Sequence, residues 1–218
     1  MTSNVAPCST WRLYVILDAD ASRGRDLAWI ADLAIQGGAD VLQLRDKTAL
    51  AKPLGETATR LLKLTRAAKI PLLINDRADV AAAVGADGVH LGQDDLPVEV
   101  ARRLLGPRAL IGCSTHSLEQ AAATERQGVD YLAVGPIFST PTKPDYPSVG
   151  LSVIQQVTAH IRTPLVVIGG IDSHTLPSVL SAGATCVAVV RAICGAEHPR
   201  EAAHELKQTL AQFGRVTA

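Results

Sequence analysis

Eight short apolar runs recur along the chain, each separated from the next by room for one helix. They are LYVILD (13–18), DVLQLR (40–45), PLLIND (71–76), DGVHLG (87–92), ALIGCS (109–114), DYLAVG (130–135), PLVVIG (164–169) and TCVAVV (185–190). Branched apolar side chains dominate and polar residues do not alternate with them, the pattern of strands buried on both faces. Ala/Leu-rich amphipathic segments near 26–37, 53–69, 77–84, 97–105, 117–127, 151–160, 174–182 and 199–213 fill the intervals. Pro97 and Pro177 suit first helical turns, Ser117 and Ser173 suit N-caps, and Gly37-Gly38, Gly85, Gly128 and Gly183 suit helix ends. Four of the runs follow an internal echo, GGADVLQLR, VGADGVHLG, QGVDYLAVG and AGATCVAVV, each with a helix-ending glycine just ahead of the strand.

Repeated strand-then-helix units in 218 residues predict an α/β fold, a closed (βα)8 TIM barrel occupying the whole chain as one domain. Its core spans about 12–195, and 199–213 forms a closing C-terminal helix. An open doubly wound sheet is the alternative. It calls for GxGxxG after the first strand, and LDADASRGR does not supply it. Trp11 and Trp29 read as packing residues.

Charge restricts the partners. Lys plus Arg and Asp plus Glu both number 21, so the formal net charge is zero and no nucleic-acid surface is expected. An anion site must be built locally. Cys8, Cys113, Cys186 and Cys194 are widely spaced without a CxxC pair, which points to reduced thiols and a cytoplasmic setting. No secretory leader and no long apolar span is present, so no membrane association is expected.

A barrel of this kind carries its chemistry at the carboxyl ends of its strands. Arg45 and Lys47 fall at the end of the second run, and Asn75 and Asp76 at the end of the third. His90, Gln93, Asp94 and Asp95 fall at the fourth, Ser114 and His116 at the fifth, and Ser139, Thr140, Thr142 and Lys143 after the sixth. Gly169-Gly170 closes the seventh and Arg191 the eighth. The opposite turns are mostly Gly, Ala and Pro. Bland roles remain open for single residues. Arg45 and Asp46 suit a surface ion pair, and Asn75-Asp76 a cap for a helix starting at Arg77. Asp94 or Asp95 suits a cap before Pro97, His90 a satisfied core histidine, His116 a loop-orienting role and Cys113 a small apolar filler.

Taken together they point to two anion sites. Asp76 and Asp95 end neighbouring strands and offer oxygen ligands suited to Mg²⁺. Arg45, Lys47 and Lys143 add cations across the mouth, which suits a diphosphate. The loop GPIFSTPTKPD (135–145) brings hydroxyls and a charge, and the 135–149 stretch is the candidate lid. The glycines of VIGGID suit a backbone-lined monophosphate site at a helix start.

The ordered set QLRDK, LLINDRADVAAAVGADGVHLGQDD, IGCSTHS, YLAVGPIFSTPTK and VVIGGI resembles the thiamine-phosphate synthase family over roughly residues 12–195. That resemblance implies two small-molecule phosphate substrates. An aminopyrimidine bearing a methyl diphosphate is joined to a thiazole bearing a phosphoethyl group, pyrophosphate leaves, and Mg²⁺ is required. It implies that Gln43, Arg45, Lys47, Asn75, Ser114 and Lys143 hold the pyrimidine diphosphate, with Arg45, Lys47 and Lys143 catalytic. It further implies that Asp76 and Asp95 ligate the metal, and that Thr140, Pro141, Thr142, Gly170, Val190 and Arg191 hold the thiazole phosphate. Arg191 is a departure, since some members carry serine there. The family mechanism is dissociative, which matches a rim offering neither a covalent nucleophile nor an obvious general base. A thiazole tautomerase using His116 as base is the nearest alternative, and a non-catalytic thiazole or thiamine phosphate sensor is another. The sequence leaves a homo-oligomer open.

Overall fold

In the computed structural model, residues 7–142 and 147–216 are described, the side chains of 214–216 excepted. Lys143 therefore lies outside the described residues. Eight strands form a closed parallel barrel in sequential order. They are β1 (Leu13–Asp18), β2 (Val41–Arg45), β3 (Leu72–Asn75), β4 (Gly88–Leu91), β5 (Leu110–Thr115), β6 (Tyr131–Val134), β7 (Leu165–Ile168) and β8 (Val187–Val189). Closure comes from β8 pairing with β1, in the register Leu13 to Val187 and Val15 to Val189. The outer helices are α1 (Leu27–Gln36), α2 (Ala51–Ala68), α3 (Ala78–Val84), α4 (Val98–Leu105), α5 (Leu118–Glu125), α6 (Ser152–His160), α7 (Leu176–Ser181), α8 (Arg191–Cys194) and α9 (Pro199–Val216). The barrel expectation is met, and the doubly wound alternative is excluded by closure.

Because residues two apart on a strand share a face, each apolar run supplies two cores. Leu13, Val15, Leu17, Leu42, Leu44, Leu72 and Ile74 point outward against helix residues such as Ile30, Ala34, Leu54, Ala58 and Leu61. Tyr14, Ile16, Val41, Leu73, Tyr131, Ala133, Val166 and Ala188 point inward and fill the barrel, with Trp11 beneath them. This is why the runs lack alternation: both faces are dry. Three aromatic rings plug the amino-terminal end, with Trp11 edge-on to Tyr14 at 6.0 Å and to Tyr131 at 5.4 Å between centroids. Gly112 makes room for them, because a Cβ there would lie 1.9 Å from Cζ of Tyr131.

Local signals were mostly met. Ser117 caps α5 by accepting from the Gln120 amide at 3.3 Å. Ser173 does not cap α7. Asp172 instead accepts from the amides of His174 and Thr175, both at 3.0 Å, and this turn delays the helix until Leu176. Trp29 is 47% exposed with Arg25 over its ring at 5.9 Å, so it is not a core residue. The short α8 directly after β8 was not expected from the sequence. Among the described residues no helix is long and apolar enough to cross a membrane.

Candidate active site

The carboxyl ends of the strands surround a cavity of about 470 Å³. Its wall includes Gln43, Arg45, Asn75, Ser114 and His116 on one side and Thr140, Pro141, Thr142, Gly170, Val190 and Arg191 on the other. Strand parity explains the first group. Gln43 and Arg45 continue the inward register of Val41, and Asn75 continues that of Leu73.

Arg45 does not pair with Asp46. Its guanidinium meets Asp18, the last residue of β1, whose side chain is only 3% exposed. The other Asp18 oxygen accepts from the Ala21 amide at 2.8 Å. Asp46 turns away and accepts from Thr48 N at 3.0 Å and Ala49 N at 2.9 Å, forming the approach to α2. Sequence reasoning missed Asp18, although an acid ending a wholly apolar strand in the inward register of Tyr14 and Ile16 was the available signal. With it, β1 also delivers a polar group to the rim.

Asp76 and Asp95 come together beside this wall. Asp76 adopts φ 61°, a left-handed conformation rare outside glycine, with its amide bonded to the His90 carbonyl at 2.8 Å. It caps no helix: Arg77 occupies the N-cap of α3 without a side-chain bond. Asp95 folds back so that its Oδ2 accepts from the Gly92 amide at 2.6 Å. A Cβ at position 92 would lie 2.8 Å from that oxygen, so a side chain there would displace the Asp95 carboxylate. Pro97, not Asp94 or Asp95, holds the N-cap position of α4. Burial raises the Asp76 pKa, the neighbouring Asp95 carboxylate raises it further, and Lys47 opposes both. Lys47 Nζ is paired with Asp76 Oδ2, while its own side chain stays 49% exposed.

On the far wall, Thr142 N donates to Thr140 Oγ1 at 3.3 Å, and Arg191 Nε donates to Thr142 Oγ1 at 3.3 Å. Gly169 and Gly170 have φ 107° and 63°. They do not open a helix, since α7 begins at Leu176. Their lack of side chains also serves packing. A Cβ on Gly169 would lie 2.4 Å from Pro136 Cα, and one on Gly170 2.7 Å from Phe138 Cβ. The 135–142 segment lies over β7 through Ile137 N to Ile168 O at 2.9 Å and Phe138 N to Gly169 O at 3.1 Å.

Other polar residues are held within the scaffold. His90 bonds Tyr131 Oη through Nδ1 at 2.8 Å and Ser114 Oγ through Nε2 at 2.9 Å. His116 Nδ1 meets the Gly135 carbonyl. Burial pushes the Cys113 thiol up to about 11, consistent with a filler rather than a nucleophile.

A family described as thiamine monophosphate synthase matches residues 13–193. The chain belongs to that family. It is 47% identical to a thiamine-phosphate synthase of Chloroflexus aurantiacus over 94% of both chains. It is 51% identical to one of Thermobifida fusca, covering 91% of this chain and 92% of that one. A solved thiamine phosphate pyrophosphorylase of Pyrococcus furiosus superposes with a TM-score of 0.87 at 36% identity, over 94% of this chain and 98% of that one. That solved relative shares the barrel, and the cavity lies at the carboxyl ends of the strands.

Proposed function

We propose that the cavity is the active site of a thiamine-phosphate synthase. An aminopyrimidine methyl diphosphate binds against Gln43, Arg45, Lys47, Asn75 and Ser114, and a thiazole bearing a phosphoethyl group binds against Thr140, Pro141, Thr142, Gly170, Val190 and Arg191. Lys143, between β6 and α6 in the sequence and outside the described residues, is assigned to the leaving diphosphate. The reaction is a group transfer: the methylene carbon leaves diphosphate and bonds the thiazole nitrogen, giving thiamine monophosphate and pyrophosphate.

The observation that carries this reading is the convergence of Asp76 and Asp95 beside Arg45 and Lys47. Among the described residues no cluster of three or more His, Cys, Asp and Glu side chains could hold a metal. A two-carboxylate oxygen set suits Mg²⁺, which keeps waters and takes its remaining ligands from substrate phosphates. Asp76 and Asp95 would hold it. Bound there, Mg²⁺ would neutralise departing diphosphate charge and take up the Asp76 charge that now engages Lys47.

The remaining work falls to the protein. Arg45, fixed by Asp18, presents a preset cationic fork to the diphosphate. Arg191 is already oriented by Thr142, so it can supply a phosphate contact where other members use serine. Placing the thiazole nitrogen and the methylene carbon in one cavity supplies the rest. The tautomerase alternative needs no diphosphate clamp.

The test is pyrophosphate release from both substrates together. Release that requires both substrates and Mg²⁺ supports the reading. Binding of the thiazole phosphate without pyrophosphate release would favour a sensor instead.

A further inference from the structure

Where the chain leaves β7, three consecutive carbonyls are tied back. Ile168 O accepts from Ile137 N at 2.9 Å, and Gly169 O accepts from Phe138 N at 3.1 Å. Gly170 O accepts from Thr175 Oγ1 at 3.0 Å. In a trans peptide the next N–H points opposite the carbonyl. Gly169, Gly170 and Ile171 line the cavity, whereas Ile137, Phe138 and Thr175 do not. The carbonyls are therefore drawn away from the cavity, and the amides of Gly169, Gly170 and Ile171 are turned towards it. Successive amides facing one way form a concavity for an anion.

The third tie differs from the other two, which are main-chain bonds. It depends on one hydroxyl five positions ahead, and Asp172 sets that hydroxyl. Asp172 Oδ1 accepts from His174 N and Thr175 N, and Asp172 N donates to Thr175 Oγ1, all at 3.0 Å. With one lone pair so used, the hydroxyl has a single proton to give. Two acceptors are within reach, Gly170 O at 3.0 Å and Asp172 Oδ1 at 3.1 Å. Asp172 Oδ1 already holds two amides, while Gly170 O has no other donor among the described residues, so the carbonyl takes the proton. A turn that served only to start α7 would close on residues 172–175. The reach back to Gly170 lies outside it. Asp172 also lines the cavity, on the wall assigned to a phosphate, where a carboxylate without a task would only repel.

We propose that Asp172 and Thr175 are positioning residues: through the Gly170 carbonyl they hold the amides of Gly170 and Ile171 towards the phosphate of the thiazole substrate, and so set the preference for a phosphorylated over an unphosphorylated thiazole. This rests on the assignment of the thiazole phosphate to the wall of Gly170, Val190 and Arg191. Gly170 has no Cβ to oppose rotation of the 170–171 peptide, so the Thr175 hydroxyl fixes it. Released, that peptide turns its carbonyl, rather than its N–H, to the phosphate oxygens.

The experiment compares the phosphoethyl thiazole with its hydroxyethyl counterpart, which lacks the phosphate. Pyrophosphate release gives KM for the first, and the second is titrated as a competing ligand, with Mg²⁺ and the pyrimidine diphosphate saturating. Thr175→Val keeps the shape and loses the hydroxyl. The thiazole-phosphate KM should rise about 10-fold, the worth of one hydrogen bond to a charged group. The inhibition constant of the hydroxyethyl compound and the KM for the pyrimidine diphosphate should stay within about 2-fold. Thr175→Ser restores the hydroxyl and should bring the thiazole-phosphate KM back to within about 2-fold of wild type. Asp172→Ala removes the turn and a negative charge together. Lost charge alone would tighten phosphate binding, whereas lost positioning should weaken it by about 10-fold, and this variant carries the test if Thr175→Val folds poorly. A merely structural role would raise the constants of both thiazoles together, and that result in both variants would overturn the proposal. An unchanged or lower thiazole-phosphate KM would also overturn it. Wild type that releases pyrophosphate but binds both thiazoles equally would overturn it while leaving the assigned reaction standing. Wild type that releases no pyrophosphate would remove the underlying assignment, and this inference with it.

Discussion

Asp18→Asn is the substitution that most sharply tests how Arg45 is held. Asp18 is 2% exposed, and its two oxygens are divided between the Arg45 guanidinium and the Ala21 amide. Asparagine keeps the shape and can still accept from Ala21 through its carbonyl oxygen. What it loses is the charge opposite a guanidinium whose side chain is 13% exposed. Removing one partner of a buried ion pair costs about 3–5 kcal/mol. The retained Ala21 bond and the partial access of Arg45 to water place this case at the lower end, about 3 kcal/mol. For a chain of this size that corresponds to a fall in melting temperature of roughly 6–12 °C. The released guanidinium loses its preset orientation, and about 2 kcal/mol of lost transition-state stabilisation would reduce kcat/KM for the pyrimidine diphosphate by roughly 30-fold. The assays are thermal unfolding by circular dichroism and steady-state pyrophosphate release. An unchanged melting temperature with unchanged kcat/KM would show that Asp18 neither anchors Arg45 nor supports the site.

Lys143→Ala should cut turnover far more than it weakens thiazole-phosphate binding; comparable losses in kinetics and in calorimetry would assign the lysine to the other substrate. The raised Asp76 pKa means that the metal-free protein gives up stability as pH climbs from the ordinary carboxylate range through that raised value, and that Mg²⁺ affinity grows over the same interval. Asp95→Asn should lessen that loss in metal-free melting curves and raise the Mg²⁺ concentration needed for activity; identical metal titrations would exclude Asp95 as a ligand. Gly112→Ala forces a methyl group against the Tyr131 ring, and overpacking of this kind should cost about 1–3 kcal/mol in a denaturant melt, whereas full stability would contradict the described packing.

Much of the barrel was legible because its signals are local. Both-face burial writes LYVILD or PLVVIG as continuous apolar runs, and Gly85 and Gly128 mark helix ends through backbone conformations that glycine adopts without strain. The rim was legible for the same reason, since strand ends such as QLRDK and LLIND carry polarity where the sheet has no need of it. Pairings across the barrel were not legible. Arg45 meets Asp18 from 27 positions away, and the adjacent Asp46 was the misleading local candidate. Tyr14 and Tyr131 are 117 positions apart, and nothing in either neighbourhood reveals the bond between them. Gly169-Gly170 was read as opening a helix after β7, whereas α7 begins only at Leu176 and the same glycines also make room for Pro136 and Phe138. Ser173 lost its capping role to the turn organised by Asp172, a competition between adjacent polar residues that composition does not decide. The family resemblance reaches the site residues one by one, and the physical partners Asp18, Tyr14 and Tyr131 came only from geometry.

The most direct measurement is the position of magnesium and pyrophosphate in crystals of the protein grown with both. Magnesium between Asp76 and Asp95, with pyrophosphate oxygens on Arg45 and Lys47, is the expected result. Pyrophosphate seated instead on Thr142 and Arg191, with no cation at the two aspartates, would contradict the assignment of the leaving-group site.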